Sequence, residues 1–207
     1  LSGELELWEV APPYSSLISS RGIVHISDKV ENIDLEKEVV ITSCGQEINY
    51  SQLVISTGSK PHSYGVEGIS EHAFTFNKYE DVSTINSLIQ RFNSLKKQKL
   101  VIIGAGATGV ELACKIGDLI NDSSCIHLID IADRVLPYGK SFNQDQILEA
   151  LKERSINLYL NSKVLRITNN KLDMINLNKE QSEAFTLDHA GVIWTAGVKP
   201  SVPYGLP

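Results

Sequence analysis

The run Lys99-Leu100-Val101-Ile102-Ile103-Gly104-Ala105-Gly106-Ala107-Thr108-Gly109-Val110-Glu111-Leu112-Ala113 constrains this 207-residue chain more than any other. Four consecutive apolar residues end at a glycine turn, and apolar residues then recur at helical spacing. The pattern predicts a buried strand, a tight turn and a helix over roughly 107–120. In that setting G-x-G-x-x-G is a dinucleotide-binding fingerprint. Gly104 permits the sharp turn. Gly106 lets a pyrophosphate approach the backbone, and Gly109 lets the helix pack close to the strand. The helix N-terminus presents N–H groups and the positive end of its dipole to phosphate. Ala105, Ala107 and Thr108 complete the candidate loop.

Such a fingerprint calls for an acid at the end of the next strand. Cys125-Ile126-His127-Leu128-Ile129-Asp130 supplies one, 26 residues after Gly104, somewhat beyond the usual ~20. The helix and the polar turn Asn121-Asp122-Ser123-Ser124 account for the extra length. A carboxylate there accepts hydrogen bonds from an adenosine ribose and repels a 2′-phosphate, which favours NADH over NADPH. Asp133 is the other carboxylate available, and Arg134 can either soften the discrimination or stand as a solvated surface charge.

The net charge of −6 provides no basic face, so nucleic acid is not an expected partner. No apolar run approaches the ~20 residues of a membrane span, and no signal peptide is visible. Cys44, Cys114 and Cys125 lack metal-ligand or C-x-x-C spacing, so a reducing compartment, buried thiols and no metal site are expected.

Two segments resemble each other. One runs from Gly22-Ile23-Val24-His25-Ile26 through Lys29-Val30 to Val54-Ile55-Ser56-Thr57-Gly58-Ser59-Lys60-Pro61. The other runs from Ile156 to Leu160 through Lys163-Val164 to Ile193-Trp194-Thr195-Ala196-Gly197-Val198-Lys199-Pro200. Each has a short strand, a Lys-Val pair, an excursion that alternates like strands, and a last strand closed by glycine and Lys-Pro. Val39–Thr42 with Glu47–Tyr50, and Lys171–Leu177 with Ala184–Leu187, make each excursion a meander. A helical pattern precedes each unit. One spans Val10 to Ser20, opened by Pro12-Pro13. The other spans Ser141 to Arg154, with Ser141 as N-cap and Gln144 completing a capping box. Between the halves, Tyr79 to Lys97 reads as a helix whose stripe Ile85, Leu88, Ile89, Phe92 and Leu95 belongs in a core.

Gly104 lies 60 residues before Val164, and the same offset from Val30 places a first glycine turn about 30 residues before Leu1. The chain is therefore expected to be an internal fragment, with residues 1–62 part of a domain whose apolar surface is left exposed. Such a patch favours association, and a homodimer is the expected way to cover it.

With these residues in view, the chain resembles the two-dinucleotide-binding flavoprotein superfamily, the FAD/NAD(P)-dependent pyridine nucleotide-disulphide oxidoreductases. Within it, the chain is most similar to type II NAD(P)H:quinone dehydrogenases of the cyanobacterial and plastid kind. The signals are Leu1-Ser2-Gly3-Glu4-Leu5-Glu6-Leu7-Trp8-Glu9-Val10-Ala11-Pro12, Tyr50-Ser51-Gln52-Leu53-Val54-Ile55-Ser56-Thr57-Gly58-Ser59, Glu71-His72-Ala73-Phe74, the Gly104 fingerprint and Trp194-Thr195-Ala196-Gly197-Val198.

The resemblance implies an α/β fold. A Rossmann-like NAD(P)-binding domain, with a parallel sheet and a three-stranded antiparallel meander, would occupy 63–199. Part of a similar FAD-binding domain would occupy 1–62, and 200–207 would start the return to it. The resemblance further implies that Ser56, Thr57 and Gly58 lie against FAD and that Val30 meets its adenine. Gly104, Gly106, Gly109 and Asp130 would hold NAD(H), Ala196 and Gly197 would lie near the nicotinamide, and Glu111, in the first turn of the NAD helix, would either act catalytically or stabilise the helix N-terminus. The implied activity passes a hydride from NADH to FAD and then electrons to a quinone, in a cytoplasmic protein peripheral to the inner face of a membrane. Two other readings fit the same residues. One is a disulfide reductase of the same fold, against which the Trp194 turn argues. The other is a non-enzymatic nucleotide-binding or redox-sensing module.

Overall fold

The structure, a computed structural model, describes residues 3–18, 21–94, 98–178, 184–203 and 205. It divides into two compact units. Pro61–Val198 form one, and the described residues within Ser2–Lys60 and Lys199–Pro207 form the other.

The second of these opens with two short helices, α1 (Leu7–Val10) and α2 (Tyr14–Ile18). An antiparallel meander follows, β1 (Val30–Asp34), β2 (Val39–Thr42) and β3 (Glu47–Asn49), in the order β1-β2-β3. Asp28 ties the β2–β3 turn, accepting from the Ser43 hydroxyl and, at 3.1 Å, from the Cys44 amide. β4 (Ser59–Pro61) pairs with β13 (Val198–Pro200), the last strand of the chain, as a two-stranded ribbon.

The unit Pro61–Val198 holds α3 (Ile69–His72), β5 (Phe74–Thr75), α4 (Tyr79–Ser94), β6 (Leu100–Ile103), α5 (Ala107–Leu119), β7 (Ile126–Ile129), α6 (Ser141–Glu153), β8 (Asn157–Tyr159), the meander β9 (Ser162–Ile167), β10 (Lys171–Asn176) and β11 (Ala184–Asp188), and β12 (Gly191–Trp194). Five strands form one sheet in the order β5-β12-β6-β7-β8, every neighbouring pair parallel. All residues of β6, β7 and β12 are buried, as continuous apolar runs require when both faces are covered. Leu100, Ile102, Ile126, Leu128 and Ile193 pack with Ile85, Leu88, Ile89 and Phe92 of α4, with Val110, Leu112, Ala113 and Ile116 of α5, and with Leu151 of α6. On the opposite face, Val101, Ile103, Ile129, Val192 and Trp194 pack with Val164, Ile167, Leu172, Met174 and Leu187 of the meander and with Ile69 of α3. The parallel sheet and both meanders agree with the fold read from the sequence.

Several local expectations are corrected. Lys140, not Ser141, is the N-cap of α6, no side chain caps it, and the Gln144 side-chain Nε2 donates instead to the Leu136 carbonyl at 2.9 Å. The helix expected from Val10 to Ser20 is two shorter pieces. Pro12-Pro13 separate them, because neither proline can donate to a helical ladder, and residues 19–20 lie outside the described set. The end of the Tyr79 helix, with Leu95 and residues 96–97, lies outside it too. The first repeat has no strand at 22–26 or 54–57. Val24 is 84% exposed and Val54 88%, and no strand among the described residues pairs with either stretch to form the ladder a parallel strand needs. Leu5, Trp8, Val10, Tyr14, Leu17, Ile23 and Ile55 are exposed as well. Cys44 is exposed rather than buried, and Cys114 and Cys125 are half-buried, with burial raising both thiols.

His127 is buried in β7 and stacks on Tyr159, ring centroids 5.6 Å apart, and its Nδ1 meets no partner. Burial pushes its pKa from 6.5 down to about 4, and the Lys99 charge adds to this. Burial lowers His189 as well. Both rings are neutral in the fold and take up protons more readily once unfolded. Their contribution is therefore whole above pH 6.5 and is lost as pH falls. For His127 the loss runs from about 6.5 to about 4 and is at most about 3 kcal/mol. His127→Phe should flatten the fall in melting temperature across that window. A slope equal to that of the wild type would contradict this.

Candidate functional site

The chain runs from β6 outward through β7 to β8, while β12 lies on the other side of β6. The strand order reverses between β6 and β12, and ligands of open α/β sheets bind at the carboxyl ends of the strands at such a switch point. Because the strands are parallel, three segments reach that edge together. They are the glycine turn after β6, Asp130 after β7 and Thr195–Gly197 after β12.

The turn is held from both sides. The Gly104 amide donates to the Ile129 carbonyl at 2.8 Å, and the Thr195 hydroxyl donates to the carbonyls of Ile103, at 2.8 Å, and Gly104, at 3.2 Å. The three glycines serve three different ends. Gly104 has φ +107°, and a Cβ there would lie 2.8 Å from the Ala196 nitrogen. A Cβ on Gly109 would lie 1.7 Å from the Gly104 carbonyl oxygen, so the close approach is between α5 and the turn itself. A Cβ on Gly106 would meet nothing within 4 Å, which leaves the backbone open to a ligand. Gly106 is the N-cap of α5, so the amides at the start of that helix have no intrahelical carbonyl to bond.

Asp130 closes the second side. Its carboxylate accepts from the Ala105 amide and, at 2.7 Å, from the Ala132 amide. A carboxylate has about four acceptor sites, so capacity remains for a ligand. A cavity of about 900 Å³ runs along this edge, within the ~300–1,000 Å³ of cofactor sites. Gly104, Gly106, Ala107, Asp130, Ala196 and Gly197 all line it.

Other expected site residues lie elsewhere. Ala105 and Gly109 are buried behind the loop, and Thr108 is exposed on the first turn of α5. Glu111 is not in that first turn. The helix starts at Ala107, so Glu111 is its fifth residue, exposed and outside the cavity lining. Arg134 is bound to Asp133, Nε to Oδ1 at 2.9 Å and Nη2 to Oδ2 at 2.8 Å, and neither residue lines the cavity. Val30 opens β1, half-buried, and Ser56, Thr57 and Gly58 are exposed in the other unit. The Thr57 hydroxyl donates to the Ser201 carbonyl, and the Ser201 amide donates to the Gly58 carbonyl at 3.0 Å.

Sequence reasoning missed Tyr64, Ser162, Lys163 and the stretch Leu136–Gly139, all of which line the cavity. The repeated Lys-Val pair was the available signal for Lys163. It is the one cation among the described lining residues, and no cysteine is among them.

Comparison with known proteins points the same way. The family model described as pyridine nucleotide-disulphide oxidoreductase matches residues 9–204. An alternative NAD(P)H-ubiquinone oxidoreductase C1, chloroplastic/mitochondrial, of Arabidopsis thaliana is 27% identical over 97% of this chain and 44% of its own length. The demethylphylloquinone reductase NdbB of Synechocystis is 26% identical over 96% of this chain and 50% of its own. The chain thus spans about half the length of the curated relatives it matches. Among solved structures, NDH2 of Plasmodium falciparum in complex with NADH superposes with a TM-score of 0.69 and 18% identity, over 84% of this chain and 40% of that one. At that identity the likeness concerns the fold.

Proposed function

The chain belongs to the pyridine nucleotide-disulphide oxidoreductase family, and from that premise we propose that its unit Pro61–Val198 is the NADH-binding part of a flavoprotein NAD(P)H:quinone oxidoreductase. The observation that carries this reading is the convergence of the Gly104 turn, Asp130 and Ala196-Gly197 on one cavity at the switch point of the sheet. The amides at the start of α5 would hold the pyrophosphate, with Gly106 giving it access. Asp130 would accept from the adenosine ribose. The β12 side, Thr195–Gly197, is left for the nicotinamide nucleoside. These residues bind and orient, and the cofactors supply the chemistry.

For the whole protein, the proposed reaction takes a hydride from NADH to a flavin and electrons onward to a quinone. Val30 and Ser56–Gly58 are the proposed flavin contacts, on the strength of the family alone. They do not line the cavity at the edge of the sheet, and no step is assigned to them or to Glu111. Among the described residues no helix is long and apolar enough to cross a membrane. Peripheral attachment and a homodimer through the exposed apolar residues of the other unit remain part of the proposal.

Calorimetric titration of the purified chain with NADH tests the reading. Saturable binding at one site is expected, with a Kd on the order of 0.1–1 mM, from protein that is colourless. No binding at millimolar NADH would refute the nucleotide assignment. A stoichiometric flavin absorbance would show that Val30 and Ser56–Gly58 already hold a flavin in this chain, contrary to the colourless protein expected.

A further inference from the structure

Residues 62–66 form a tight turn braced against the end of β12. The Trp194 indole N–H donates to the His62 carbonyl at 3.0 Å, the His62 amide to the Gly197 carbonyl at 3.2 Å, and the Val66 amide to the Ser63 carbonyl at 3.0 Å. The His62 and Tyr64 rings meet edge to face, 4.2 Å between centroids. Within this turn Tyr64 has φ +50°, a left-handed conformation that bulky residues rarely adopt. Such strain persists only where the surroundings over-determine it. What it secures here is the place of the ring. Tyr64 is 63% exposed, lines the cavity, and rests its phenol end on Gly197. A Cβ at Gly197 would lie 2.2 Å from the Tyr64 hydroxyl oxygen and 2.5 Å from Cε2. The ring thus uses the space that the glycine leaves.

The order of the strands says which part of a ligand this ring meets. Asp130 ends β7 on one side of the glycine turn, and Tyr64 and Gly197 stand at β12 on the other. A dinucleotide with its adenosine ribose on Asp130 and its pyrophosphate on the turn must direct its second nucleoside toward β12. We propose that Tyr64 is a positioning residue for the nicotinamide nucleoside, its ring being the wall against which that half of the ligand is set. The inference rests on the cavity assignment given under Proposed function. Tyr64 handles no proton and is not catalytic. Its contribution is the face and edge of an aromatic ring, which for a stacked base corresponds to roughly five- to a hundredfold in affinity.

The test uses the full chain and two ligands, NADH and ADP-ribose, which lacks the nicotinamide. Tyr64→Gly removes the ring and relieves the left-handed backbone, so folding is not endangered. It should weaken NADH about tenfold and leave ADP-ribose within about twofold. Tyr64→Phe keeps the ring and should bind NADH within about twofold of the wild type. Equal weakening of both ligands by Tyr64→Gly, unchanged NADH binding, or a loss in Tyr64→Phe as large as in Tyr64→Gly would each overturn the inference. If the wild type binds neither ligand, the cavity assignment fails and this inference with it.

Discussion

Gly109→Ala should cost the unit Pro61–Val198 at least about 3 kcal/mol, or roughly 10 °C in Tm. The added methyl would lie 1.7 Å from the Gly104 carbonyl oxygen, 2.8 Å from the Thr195 hydroxyl and 2.9 Å from the Gly104 carbonyl carbon. None of these can withdraw cheaply. The Gly104 amide is bonded to Ile129, and the Thr195 hydroxyl to the carbonyls of Ile103 and Gly104. Relief therefore means moving α5 off the sheet, and α5 carries Val110, Leu112, Ala113 and Ile116 of the core. Gly106→Ala is the matched control. Its methyl meets nothing within 4 Å, and the backbone at φ −73° suits any residue. Its stability should fall by less than about 1 kcal/mol, while NADH affinity drops about tenfold as the methyl obstructs the phosphate path. Urea denaturation and NADH titration of the two variants separate the roles. Gly109→Ala melting with the wild type would show that the turn yields, contrary to the packing described.

Removing the charge at Asp130 should shift the preference between cofactors. A charge-assisted hydrogen bond to a ribose hydroxyl is worth about 1.5–3 kcal/mol, and the same carboxylate repels a 2′-phosphate. Arg134 is paired with Asp133 at the surface and does not line the cavity. Lys163 is the one cation among the described residues that line the cavity. Asp130→Asn and Asp130→Ser should therefore raise the ratio of NADPH to NADH affinity by at least about tenfold. Asp130 also braces the glycine loop through the Ala105 amide, so both affinities should fall as well. The ratio is the informative quantity, because loss of the brace weakens both ligands alike. An unchanged ratio would leave Asp130 as a loop brace only.

What was legible in the sequence was local and periodic. Leu100–Ile103 before a glycine turn, the stripe Ile85, Leu88, Ile89 and Phe92, and the alternating excursions each state their own structure within a few residues. The errors have particular causes. The helix starts at Ala107, as the pattern predicts, and Glu111, its fifth residue, therefore already lies past the first turn. Lys140 takes the cap position because the preceding segment is tied by the Gly139 amide to the Leu136 carbonyl at 2.7 Å. Val54–Thr57 has the composition of a strand, but strands are made by partners, and the described residues offer none. Tyr64 was invisible for a related reason. Its role depends on Gly197, distant in sequence and brought beside it only when β12 inserts next to β6. The pairing of Arg134 with the adjacent Asp133 is a matter of rotamer, which spacing does not report.

On the proposed reading, one dinucleotide lies across the edge of the sheet, from Asp130 over the Gly104 turn to Gly197. Backbone amide shifts of the isotope-labelled chain, followed by NMR as NADH is added, test it most directly. Saturable shifts are expected at Gly106, Ala107, Thr108, Ala132 and Gly197, with the meander Val30–Asn49 of the other unit unmoved. Shifts confined to that meander, or none at millimolar NADH, would contradict it.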